Sequence, residues 1–273
     1  MADEPSRILP GLKPVIEALE TIPQRIEQVL LRKGFVNRET HYIQSLCQQN
    51  SIKLSQVDQL VLDRLCKRPG HLPKTTHQGV VAKLSASDVV DLSTLTLALS
   101  SAPLPLILAL DQIQDPGNLG TLARTLYTLG GCGLLVPLHN SAALSSAAER
   151  SAAGALEKLP VCRVANLANA LDDLEEMGLT IYGSTLNKTN SLDAFTTTFS
   201  FPAVLVLGNE AKGVRPHIAK RCQSNLYIPQ ARSFNSLNVA QAGAILIGLA
   251  WGQRKENLVK SVDNSSSNPE NFS

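Results

Sequence analysis

Between residues 106 and 229, short apolar runs recur along the chain: LILAL (106–110), GLLVP (133–137), LTIY (179–182), AVLVL (203–207) and NLYIP (about 224–229). Helical patterns separate them. Leu119, Leu122, Leu126 and Leu129, for example, fall on one face at 100° per residue. Strands that are apolar throughout and alternate with helices predict an α/β domain on a mainly parallel sheet, covered on both faces. Ligands of such sheets collect at the carboxyl ends of the strands. The chain through Leu84 shows a weaker version of the same alternation. It opens with an apolar periodic segment around Val15, Ile16 and Leu19 and closes with the strand-like GVVAKL, which predicts a small α/β domain of about 80 residues.

Between the two parts lies SASDVVDLSTLTLALSSAPLP, rich in Ser, Thr and Ala and closed by Pro103 and Pro105. It reads as a linker over 85–105, between a domain of 1–84 and one of 106–254. From residue 255 the chain becomes too polar to pack, so 255–273 is expected to be a disordered tail. No repeat of 20 to 50 residues is visible.

Composition narrows the classes. The 273 residues carry a net charge of +2, with 44% hydrophobic and 18% charged residues, as in an ordinary globular protein. No apolar run approaches the roughly 20 residues of a membrane span, so no membrane partner is expected. The opening MADEPSRILPGLK has no basic segment followed by an apolar one, hence no secretory signal. Five scattered cysteines without a CxxC pair point to reduced thiols and a cytoplasmic location. None of the five histidines has metal-ligand spacing with another, so no metal is expected. Through Leu84 there are 12 Lys and Arg against 8 Asp and Glu. That local excess could favour a polyanion such as RNA, but on charge alone a solvated surface is the better reading.

Three strand ends carry the informative residues. After LILAL, Asp115-Pro116-Gly117 makes a turn and Asn118 is placed to cap the following helix, from which Arg124 projects opposite the leucines. A guanidinium there can grip a phosphate or carboxylate, or merely face solvent. AVLVL runs directly into Gly208, Asn209 and Glu210, with Gly213 after them. A glycine at a strand end lets a ligand approach the backbone, and Glu210 sets a carboxylate at the sheet's mouth. A plain strand-to-helix turn reads the same way. After Ile228-Pro229, Ser236-Leu237-Asn238 opens a long apolar helix that Ser236 can cap, while the Asn238 amide needs partners on the cleft side. The small residues of that helix, from Ala240 to Gly248, fit either tight internal packing or a subunit interface. His77-Gln78-Gly79 reads as structural. No dinucleotide fingerprint, P-loop or GxSxG elbow is present.

Together and in this order, the segments resemble the three motifs of the SpoU/TrmH family of RNA ribose 2'-O-methyltransferases, within the SPOUT superfamily. The first appears as Asn118, Gly120 and Arg124, the second as Gly208-Asn209-Glu210 through Gly213, and the third as Ser236-Leu237-Asn238-Val239 after Ile228-Pro229. ILPGLKPVIEALE, HQGVVA and SAAGALEKLP are similar to the subgroup that methylates a guanosine of 23S rRNA. The resemblance implies an N-terminal RNA-binding domain like ribosomal protein L30e and a C-terminal SPOUT domain with a trefoil knot. It also implies a homodimer and an S-adenosylmethionine cofactor. It carries over Gly208, Ile228 and Leu237 as cofactor-binding residues, and Arg124, Glu210, Ser236, Asn238 and Asn118 as active-site residues. Gln230, Arg232 and Ala240 depart from the usual pattern around the third motif. Those departures keep open a knotted RNA-binding protein without activity, and because the family also contains tRNA enzymes a tRNA substrate stays open too. A nucleotide-dependent oxidoreductase would need the glycine fingerprint that is missing.

Overall fold

The computed structural model describes residues 8–66, 77–84, 89–209, 212–232 and 236–266. Its first part contains β1 (Ile8–Pro10), α1 (Leu12–Thr21), β2 (Ile26–Arg32), α2 (Arg38–Gln49), β3 (Lys53–Val57), α3 (Gln59–Cys66) and β4 (Val80–Leu84). The strands form one sheet in the order β1-β4-β2-β3, antiparallel except for β2 and β3. Helix α1 buries Leu12, Val15, Ala18 and Leu19, one apolar stripe, against Ile26, Val29 and Val80 of the sheet. Helix α2 starts at a reciprocal cap: Asn37 Oδ1 accepts from Thr40 N at 2.7 Å, and Thr40 Oγ1 accepts from Asn37 N at 2.9 Å. His77 is structural, as expected. Its Nδ1 accepts from Gly79 N at 3.0 Å, which leaves Nε2 to donate to Asp63 at 3.0 Å.

The second part continues with β5 (Val89–Val90), α4 (Leu92–Leu97), β6 (Leu106–Asp111), α5 (Pro116–Thr128), β7 (Gly133–Pro137), α6 (Ser146–Ala152), β8 (Val161–Val164), α7 (Leu167–Glu176), β9 (Thr180–Ser184), β10 (Leu192–Asp193), β11 (Ala203–Gly208), α8 (Pro216–Ala219), β12 (Ser224–Tyr227) and α9 (Val239–Ser266). Eight strands form one sheet in the order β10-β12-β9-β11-β6-β7-β8-β5, and every pairing is parallel. The five runs read from the sequence are β6, β7, β9, β11 and β12. The chain leaves β6 toward β7 and β8, then returns to the other side of the sheet as β9. The order therefore reverses between β6 and β11, where α/β sheets hold ligands.

Two expectations about organisation need correction. The stretch at 85–105 is not a free linker. Val89 and Val90 extend the large sheet by pairing with β8, and Asp91 caps α4 by accepting from Thr94 N at 2.8 Å. Its Ser, Thr and Ala content reflects a short capped helix whose Leu95 is fully buried. The expected tail at 255–273 instead continues α9 as far as Ser266, while 267–273 lies outside the described residues. Once a helix is nucleated, each added residue gains a hydrogen bond at little cost. Polar residues can therefore extend a helix whose earlier turns are anchored by Leu246, Ile247 and Ala250, all fully buried. No helix among the described residues is long and apolar enough to cross a membrane. All five cysteines are free, and burial pushes the Cys132 and Cys222 thiols up to about 12.

The two parts meet along a polar cleft of about 800 Å³ lined by Lys53 and Lys83 on one side and by His139, Asn140 and Arg163 on the other. Glu27 of β2 reaches across it, accepting from the backbone of Leu144 and facing the Arg163 guanidinium. Arg163 Nη2 in turn donates to Leu138 O at 3.3 Å. Burial raises the Glu27 pKa above its ordinary value, and Arg163 offsets only part of this. The folded state therefore binds that proton more tightly than the unfolded state. The stability due to Glu27 is complete below its ordinary pKa and is lost as pH rises through the raised value. Relative to Glu27→Gln, the wild-type protein should lose stability as pH rises from the ordinary carboxylate value of about 4.5 through the raised one. Urea midpoints across that range read it, and parallel profiles for the two proteins would contradict it.

Candidate functional site

The carboxyl ends of β9, β11 and β12 converge with the start of α9 on one pocket. Gly208, Asn209 and Gly213 form one wall, and Ile228, Ser236, Leu237, Val239 and Leu246 the other, with Ser184–Leu186 closing a side. Its enclosed space is small, about 80 Å³, and it opens to solvent at its mouth. Of the three residues expected to hold a cofactor, all line this pocket.

A Cβ on Gly208 would lie 2.1 Å from Gly213 C and Val214 N, so the missing side chain lets its own chain approach closely. The segment after β11 folds back over Gly208. Asn209 and Gly213 exchange backbone hydrogen bonds of 3.1 and 2.8 Å. The Asn209 side chain braces the loop, donating to Gln112 O at 3.1 Å and accepting from Lys212 N at 3.3 Å. Glu210 lies outside the described residues.

Helix α5 begins one turn earlier than expected. Asp115, not Asn118, is its cap: Asp115 Oδ1 accepts from Gly117 N at 2.9 Å, and Pro116 takes the first helical position. Asn118 is thereby released from capping. Gly120 is buried, and a Cβ there would lie 2.2 Å from Ala148 O, so α6 packs directly on this turn. Arg124 is exposed, as its phase on the helix predicted, and makes no hydrogen bond or ion pair among the described residues.

The same exchange of roles occurs at α9. Asn238, and not Ser236, caps the helix, accepting from Ala240 N at 2.8 Å. Its Nδ2 donates to Asn118 Oδ1 at 3.1 Å. Residues 120 positions apart thus join the N-termini of α5 and α9, where each helix carries partial positive charge. Ser236 sits in the pocket wall. Of the departures from the motif pattern, Ala240 is buried with its N–H satisfied by Asn238, Gln230 lines the pocket and Arg232 is exposed. The small residues of α9 serve internal packing at Gly243, where a Cβ would meet Leu122 at 2.3 Å, but Gly248 and Gly252 face open space.

Two residues at this strand end escaped the sequence reading. Asp111 ends β6 fully buried and is paired with Arg215, from the turn after Gly213. A carboxylate terminating an otherwise all-apolar strand was the available signal, since a buried charge requires a partner.

Residues 105–248 match the SpoU rRNA Methylase family, and residues 8–90 match the family described as RNA 2'-O ribose methyltransferase substrate binding. The two matches fall on the two parts of the fold. A 23S rRNA (guanosine-2'-O-)-methyltransferase of Pseudomonas aeruginosa is 33% identical over 87% of this chain and 92% of its own length. The protein of the same description from Pseudomonas syringae pv. tomato is 30% identical over 89% of this chain and 94% of its own length. Among solved structures, the SpoU methyltransferase AviRb of Streptomyces viridochromogenes, in complex with AdoMet, superposes with a TM-score of 0.54. It is 23% identical and the match covers 91% of this chain and 90% of that one, which shows the shared fold. With both regions matched, residues of the second and third motifs lining one pocket and the first joined to them through the Asn118–Asn238 bond, the chain belongs to the SpoU rRNA methylase family.

Proposed function

We propose that this chain methylates the ribose 2'-hydroxyl of a guanosine in 23S rRNA, with S-adenosylmethionine as donor. The observation that carries the reading is the Asn238–Asn118 bond, which joins two helix N-termini beside the pocket, on the helix that bears an unengaged Arg124. The relatives of nearly equal length that methylate a guanosine of 23S rRNA support the substrate. The cleft lined by Lys53, Lys83 and Arg163 supports contact with RNA phosphates.

The pocket fits the cofactor. Leu226, Ile228, Leu237, Val239 and Leu246 offer an apolar bed, while Asn209, Ser236 and Gln230 offer polar contacts at its edge. When bound, the cofactor supplies an electrophilic methyl on a sulfonium. The chain's own part is to position the attacking hydroxyl and to stabilise the charge that develops on it. A guanidinium offers donors and no acceptor site, so Arg124 is assigned as the electrostatic partner of the developing alkoxide and not as the base. Asn238 and Asn118 set the helix N-termini around the same region, adding partial positive charge. Glu210 and Ser236 are assigned to substrate orientation by the motif correspondence. We also infer a trefoil knot through the Gly208-to-α9 segment, and a cytoplasmic homodimer in which the open face at Gly248 and Gly252 receives the partner.

The deciding assay is methyl transfer from labelled cofactor to unmodified rRNA and tRNA pools, with mass spectrometry of the nucleosides. 2'-O-Methylguanosine from 23S rRNA supports the reading, and the same product from tRNA alone would move the substrate. Arg124→Ala should abolish turnover while calorimetry shows cofactor affinity within about threefold of wild type, a change of under 1 kcal/mol. Near-normal turnover would remove Arg124 from the chemistry. Gly208→Ala should do the reverse and lose cofactor binding, because its Cβ has no room beneath Gly213; unchanged affinity would refute that account.

A further inference from the structure

The loop that forms one wall of the pocket is held from outside by a single buried charge. Asp111 stands at the carboxyl end of β6, directly opposite Gly208 in the parallel ladder with β11. Its side chain is fully buried. Both carboxylate oxygens are used on one residue: Oδ2 accepts from Arg215 N at 2.8 Å, while Oδ1 accepts from Arg215 Nε at 2.8 Å and Nη2 at 2.6 Å. Arg215 follows Gly213 and Val214, the two residues that press on Gly208. The next residue of β6's exit, Gln112, takes the other end of the same loop by accepting from Asn209 Nδ2 at 3.1 Å.

We propose that Asp111 and Arg215 are a positioning pair for the cofactor wall, clamping Gly213 and Val214, and with Gln112 also Asn209, to the strand that leads into α5. This rests on the reading of the pocket as a cofactor site. Two consecutive residues, Asp111 and Gln112, hold the beginning and end of the loop, so the loop's place over Gly208 is set from β6. A few residues further along, the same segment of chain becomes the helix bearing Asn118 and Arg124. The pair therefore keeps the cofactor wall in register with the helix that handles the substrate. A fork of two side-chain N–H groups plus a backbone N–H fixes direction as well as distance, which a lysine could not reproduce. Neither residue lines the pocket. Their effect on affinity passes through Gly213 and Asn209.

The test is the affinity of S-adenosylmethionine for the full chain without RNA, measured by calorimetry, beside the melting temperature of the free protein and its affinity for a 23S rRNA fragment. Arg215→Met should weaken cofactor binding by about tenfold or more, with RNA affinity unchanged. Arg215→Lys should fall between it and wild type, because the charge returns without the fork. Should Arg215→Met fail to fold, Arg215→Lys alone decides, with several-fold weaker binding expected. Wild-type affinity in the folded variants, with only the melting temperature lowered, would show the pair to be structural and overturn the proposal. A wild-type protein that itself does not bind the cofactor would instead overturn the reading of the pocket.

Discussion

The structure around the pocket depends on the in-register parallel pairing of β6 with β11. Every residue of both strands is buried, so neither can present a polar group to a ligand along its length. Chemistry is confined to the point where the ladder ends. The ladder sets Asp111 opposite Gly208 at that point. One strand offers a carboxylate and the other no side chain at all. The space left by the missing side chain is occupied by the returning backbone of Gly213 and Val214, and the carboxylate takes the arginine that follows them. A slip of two residues would keep the apolar faces buried and still separate these partners.

The second link, between Asn118 and Asn238, is chemically different and suited to its place. A neutral amide bond contributes about 1 kcal/mol to stability, less than a buried ion pair can cost when broken. What it supplies is geometry without charge. A carboxylate in place of Asn238 would neutralise the partial positive charge at the N-terminus of α9. The amide caps that helix, joins it to α5 and leaves its charge available to an anionic ligand. Capping of α5 falls to Asp115, one turn before Asn118 and on the other side of the first turn, so the helix is secured without using the amide.

Much of this was legible in the chain. All-apolar runs separated by helical patterns identify a parallel sheet because burial on both faces leaves no alternation to confuse them. Three polar clusters at strand ends locate the pocket because polar residues cannot lie elsewhere on such strands. What was not legible depended on competition between neighbours. Asp115 and Asn118 are both good caps, as are Ser236 and Asn238, and only the backbone path decides which one the helix uses. Gly208 marked the location, but that Gly213 and Val214 pack against it was not legible, since a glycine signals a close approach without saying what approaches. The pairing of Asp111 with Arg215 spans 104 positions and has no local trace beyond the oddity of the aspartate. The polar run after Arg254 misled because composition measures the capacity to pack, whereas a helix already nucleated continues on hydrogen bonds alone.

The boundary between the two parts follows yet another logic. Each part has its own apolar cluster, and the cleft between them is lined instead by lysines, a histidine, amides and the Glu27–Arg163 pair. In that pair, Glu27 Oε1 and Arg163 Nη1 are buried with no hydrogen-bond partner among the described residues. Incompletely satisfied buried charges contribute little net stability, because desolvation offsets most of their attraction. Of the four charged residues lining the cleft, three, Lys53, Lys83 and Arg163, are cationic. The basic excess of the first part, ambiguous as bare sequence, is thus partly directed toward the boundary through Lys53 and Lys83. A polyanion entering there would replace a weak internal pairing by phosphate contacts. The part matched as a substrate-binding domain supplies Lys53 and Lys83 to the cleft, while the pocket belongs wholly to the part matched as the methylase, so a surface for a large substrate and a site for a small ligand are kept apart in the fold.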